Sequence, residues 1–197
     1  MPRSPSPEIA ASDQRPSLTR LSGFLLRAED VTTAWERYAD EHTDLDGWPY
    51  DQDAFDRRMA ARDAALWRLF APVRDEAAHL LDTAEAIVDQ LAGRSVQTRW
   101  VWQLDQLRSA LERVAAAQTA FTDWQDTHPH MSDELVHRAR AARNKRAWEG
   151  LNDWITHGRA VLEIHATALR AGRPGVRRPL QALTVVRSAA TAQAPRR

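Results

Sequence analysis

Between residues 17 and 172 the apolar side chains recur at alternating steps of three and four, the period of a helix that buries one face. Four such stripes follow one another. The first runs Leu18, Leu21, Leu25, Ala28, Thr32, Trp35, Ala39, His42, with Ser17 as its expected N-cap. Gly23 weakens its opening turns by about 1 kcal/mol relative to alanine. The second runs Phe55, Met59, Arg62, Leu66, Leu69, Val73, Ala77, Leu80, Ala84, Ile87, Leu91, behind an Asp51 cap and a Tyr50–Phe55 staple. The third is Trp100, Leu104, Leu107, Leu111, Val114, Gln118, Phe121, Gln125. The fourth is Trp148, Leu151, Ile155, Gly158, Leu162, His165, Leu169, on a helix capped by Ser132 and ended by Gly172 and Pro174.

The breaks between stripes carry turn residues: Asp44 to Pro49, Gly93, and His128-Pro129-His130. Pro72 lies inside the second stripe, where it costs about 3 kcal/mol in a helix interior. The phase continues through it, which predicts one helix kinked there; two helices meeting at Ala71-Pro72 are the alternative. Short turns near 93–95 and 128–131 fold the later helices into antiparallel hairpins. The last three helices should have about 42, 32 and 40 residues, or roughly 63, 48 and 60 Å. The expected fold is all-α: an elongated antiparallel bundle of about four long helices, with coiled-coil-like packing at crossing angles near 20°. Residues 1–16, rich in Pro and Ser, read as a disordered lead, 17–172 as the bundle, and 173–197 as a basic, mostly disordered tail.

Composition narrows the chemistry. Hydrophobic residues make up 43% of the chain and charged ones 27%, enough of the former for one core. The formal net charge is zero, which argues against a surface that coats nucleic acid as a whole. The chain has no cysteine, so disulfides, thiolate catalysis and cysteine-based metal centres are excluded. It has no uncharged run long enough to span a bilayer and no apolar signal-peptide core, which predicts no membrane insertion and a cytoplasmic location.

The candidate metal ligands fall short of a site. The pairs Glu76…His79 and Glu134…His137 have the spacing of a carboxylate-bridged bundle site, but folding the chain at its turns places them at different levels. His128 and His130 lack a third ligand, and Asp44, Asp46, Asp51 and Asp53 lack the register of a calcium loop. His165 reads as a satisfied interior histidine. No metal, cofactor or catalytic constellation is expected.

Two features point outward. Trp35, Trp100 and Trp148 lie on the stripes and read as core. Trp67, Trp102 and Trp124 lie off them, either buried in a wide apolar arc or standing as anchors for a protein partner. The segment 137–146 carries Arg138, Arg140, Arg143, Lys145 and Arg146, which surround much of the helix and predict a part that leaves the bundle. The tail adds Arg177 and Arg178 among six arginines and no acid. The expected function is therefore non-enzymatic: a helical interaction or assembly protein acting through helix faces, with self-association as one mode. The alternative is a nucleic-acid-associated accessory factor using the basic segment and tail. A metal-dependent bundle enzyme ranks third.

Overall fold

The computed structural model describes residues 14–91 and 98–172, and among them the fold is all-helical. The elements are α1 (Arg15–His42), α2 (Gln52–Leu91), α3 (Thr98–Thr127), α4 (Asp133–His157) and α5 (Arg159–Gly172). α5 continues the line of α4 after a single turn residue, Gly158. The lead 1–13 and the tail 173–197, with Arg177 and Arg178, lie outside the described residues.

Local chemistry sets most of the ends. α1 begins two residues ahead of the expected Ser17 cap, because Pro16 is tolerated in a first turn where its missing N–H has no partner to lose. Asp51 caps α2, its Oδ1 accepting from Ala54 N at 2.9 Å. The Tyr50–Phe55 staple gives way: Tyr50 stays exposed, and Phe55 packs edge-on against Trp35 at 4.9 Å. Ser132 caps α4 through Leu135 N. α2 runs unbroken through Pro72, whose ring faces solvent. At 40 residues it spans about 60 Å, so the bundle is elongated.

Side-chain pairs give the direction of each helix. Arg20–Glu76, Phe24–Phe70 and Trp35–Phe55 run α1 antiparallel to α2. Arg108 bonds Glu85 and Asp82 of α2, and Arg113 bonds Asp153 of α4. α3 and α4 share the most extensive contact, as their facing stripes predict. They approach most closely at Gly150, where a Cβ would lie 2.6 Å from the carbonyl oxygen of Ala110 and 2.9 Å from Val114. α2 is buried on two faces. Leu66, Val73, Ala77, Leu80 and Ala84 seal its predicted stripe, while Asp63, Trp67, Phe70, Leu81 and Val88 are buried beside it.

The last stripe is shifted. Ala147, Leu151, Trp154, Val161 and Ile164 are the deeply buried positions, while Trp148, Ile155 and Leu162 are half-buried at the flank and Leu169 is exposed. Trp154, not Trp148, is the core tryptophan; its ring packs 5.3 Å from Phe70. A single apolar stripe misjudges the phase here because the helix touches both α2 and α3.

The two hairpins repeat each other. Thr33-Ala34-Trp35, Tyr38, Asp40 and His42 near the end of α1 match Thr119-Ala120-Phe121, Trp124, Asp126 and His128 near the end of α3. Ala60-Ala61-Arg62-Asp63 and Trp67 in α2 match Ala141-Ala142-Arg143-Asn144 and Trp148 in α4. The geometry repeats with the letters. Tyr38 stacks on His42 at 4.0 Å and Trp124 on His128 at 5.2 Å, and each imidazole Nδ1 lies 2.9 Å from its stacking partner's carbonyl oxygen. α2 and α4 are thus equivalent and run in the same direction, which puts both hairpin tips at one end of the rod.

Candidate functional site

Near that end the two halves are joined by a pair of reciprocal clasps. Arg62 of α2 lies between Trp35 of α1 and Trp148 of α4, its Cζ 4.6 and 3.7 Å from the ring centroids. Arg143 of α4 lies between Trp67 of α2 and Phe121 of α3, at 4.0 and 4.9 Å. Each arginine therefore stacks on the tryptophan that the repeat places in the other half. A cation over an aromatic face contributes about 0.5–2 kcal/mol, more as water is excluded. Planar guanidinium suits the gap between two rings where an ammonium would not.

The clasps differ in charge. Arg62 donates through Nε and Nη2 to Asp63 Oδ1 at 2.9 and 2.7 Å, and both side chains are buried. Burial pushes the Asp63 carboxyl up, against the pull of the Arg62 hydrogen bond. Arg143 makes the same pair of bonds to its next residue, but that residue is Asn144: Nε and Nη2 reach Oδ1 at 3.1 and 2.7 Å. A longer bond runs from Nη1 to Gln118 Oε1 at 3.4 Å. Both acceptors are neutral. Burial, and then the charges of Arg140 and Arg74, lower the Arg143 pKa to about 10.

The expected basic residues separate on this geometry. Arg138 pairs with Glu134 one turn before it. Among the described residues, Arg140, Lys145 and Arg146 have no carboxylate within 4.0 Å and are exposed. The segment does not leave the bundle. Val136, Ala139 and Arg143 are half-buried and Asn144 and Ala147 fully so, because α3 covers that face. Trp67, offered as an anchor, is 8% exposed and enclosed by Arg143 and Arg74, so the wide-arc reading holds for it. Trp124 is half-buried against Phe121 and His128. Trp102 is 54% exposed, edge-on to His157.

The tip carries aromatics that the stripes leave out. Leu45, Trp48 and Tyr50 project from the α1–α2 loop, Trp48 and Tyr50 at 70% and 72% exposure; Met131 and Leu135 are exposed at the other tip. The first loop is tightly bonded. Asp44 Oδ1 accepts from Asp46 N at 3.0 Å and Trp48 N at 2.8 Å, and Tyr50 N donates to His42 O at 3.0 Å. Gly47 takes φ 83°, a left-handed conformation that favours glycine. The only sequence signal for this site was a Gly-Trp-Pro-Tyr run, easily read as a mere break between helices.

The remaining polar candidates are local. Glu76 pairs with Arg20, and His79 lies 3.4 Å from Gln14 Nε2. His165 is buried as expected, but its Nε2 has no hydrogen-bond partner among the described residues, which departs from the reading of a satisfied interior histidine. Burial, and then His79, lower its pKa. Among the described residues no group of three or more His, Asp or Glu side chains is placed to hold a metal ion. None of the described helices is long and apolar enough to cross a membrane. The chain matches no protein-family model, and no curated protein or solved structure shows significant similarity to it.

Proposed function

We propose that this chain is a non-enzymatic helical interaction protein that assembles through the hairpin-tip end of its bundle, with a second copy as the first partner to test. The observation that carries this reading is the ordered loop 43–51. A large aromatic pair held in solvent by a bonded loop loses little conformational freedom on docking, so more of its burial counts toward affinity. Met131 and Leu135 extend the same apolar end. The clasps support it from beneath by fixing the two hairpins to each other. Light scattering across a concentration series tests it. The mass should rise above the 22.3 kDa chain mass, and Trp48→Ser with Tyr50→Ser should return it to that value. A chain of monomer mass at every concentration removes self-assembly.

The second reading, a nucleic-acid-associated factor, is favoured by one observation: among the described residues, Arg140, Lys145 and Arg146 expose positive charge without a carboxylate within 4.0 Å. Arg138 is paired with Glu134, whereas Arg143 is stacked on Trp67 and Phe121 and bonds only neutral acceptors among the described residues. DNA affinity that falls steeply with salt would support it, and no binding at low salt would end it.

A further inference from the structure

The twin clasps pose one question of charge balance. In the first, a carboxylate sits beside the arginine; in the second, an amide occupies the matching position and the positive charge is left over. Arg143 uses Nε and one Nη2 hydrogen on Asn144, and Nη1 makes only the long contact with Gln118. The guanidinium lies 4.0 and 4.9 Å from the Trp67 and Phe121 ring centroids and is only half-buried, and its five N–H groups exceed the three bonds it makes to neutral acceptors among the described residues. Two further cations lie near. Arg140 is one turn earlier on α4, exposed and, among the described residues, without a carboxylate within 4.0 Å. Arg74 reaches from α2 over the same Trp67 ring, at 5.8 Å, and among the described residues its carboxylate partner is the exposed Asp75. An exposed pair of that kind is weak and easily exchanged.

We propose that Arg143, Arg140 and Arg74 form a binding site for a phosphate group, which supplies the negative charge that Asp63 supplies in the other half. A guanidinium edge matches two phosphate oxygens with parallel N–H bonds, and cations from two helices complete the charge. The proposal does not depend on assembly through the tip, and the phosphate can be free or part of a nucleic-acid backbone.

The test uses the full chain, thermal unfolding, and inorganic phosphate against chloride at matched ionic strength. Phosphate should raise Tm of the wild-type protein. Asn144→Asp places the missing carboxylate in cis, as Asp63 does for Arg62. That variant should melt higher without phosphate and gain less from adding it. General salting-out by phosphate acts on both proteins and cancels in the comparison. Arg140→Gln, at an exposed position, should fold normally and weaken phosphate binding by about threefold to tenfold. A labelled single-stranded oligonucleotide separates the sources. Binding that phosphate competes away and Asn144→Asp weakens assigns the site to a backbone phosphate; a phosphate response without oligonucleotide binding assigns it to the free ion. A wild-type phosphate increment no larger than that of Asn144→Asp, with no effect of Arg140→Gln, overturns the site.

Discussion

Asp63 sits almost wholly out of solvent because Arg62 accompanies it, and Arg62 lies against the rings of two tryptophans. Removing only the cation should therefore cost more than the stacking it supplies. Arg62→Ala leaves a buried carboxylate alone, and urea unfolding should show a loss of about 3–5 kcal/mol. Adding Asp63→Asn to that variant should recover part of the loss; a double variant weaker than the single one would show that packing, not charge, dominates. His165 gives a pH signature. Its pKa in the fold lies below the usual value near 6.5, so the folded chain refuses a proton that the unfolded chain accepts. Stability should be full above about pH 6.5 and fall as pH drops toward the folded pKa, by up to about 1.4 kcal/mol per unit. His165→Ala places there the residue that the repeat has at Ala84, and denaturant unfolding between pH 7 and 5 should lose most of that slope.

At the scale of the helix, two glycines make opposite predictions from the same substitution. Gly23 lies in α1 with nothing nearer to an added Cβ than the far end of Arg27, at 3.9 Å. Gly23→Ala should stabilise by about 0.5–1 kcal/mol through helix propensity alone. Gly150 meets the backbone of α3 and cannot accept a methyl without moving one helix from the other. Gly150→Ala should lose about 1–3 kcal/mol in the same unfolding measurement, despite its better propensity. Pro72 shows the same balance differently. Its ring faces solvent, and the apolar stripes on either side hold one phase, so tertiary burial carries α2 across a residue that would end an isolated helix.

For the whole molecule, the repeat brings the α1–α2 and α3–α4 loops to one end of the bundle. Equivalent hairpins place both tips together, and the clasps fasten them below the tips. Asp44→Ala should separate stability from assembly. It removes the side-chain acceptor for two loop amides without touching the core, so unfolding should change by about 1 kcal/mol. The concentration at which light scattering detects association should rise severalfold, because the loop must then be ordered on docking.

The sequence by itself determined the all-helical, antiparallel elongated bundle, because a three-and-four apolar period survives any detail of packing. The Asp51 and Ser132 caps were legible for the same local reason. The repeat was present in the letters too, in Ala-Ala-Arg followed five residues later by Trp, but it is too degenerate to outweigh the helical period around it. Only the tertiary structure decided which face of the last helix is buried, since that depends on touching two neighbours at once. It also decided the fate of Trp67 and Arg143. On a lone helix they read as an exposed anchor and a free cation; brought together across α2, α3 and α4, Arg143 covers Trp67 and is itself half-buried.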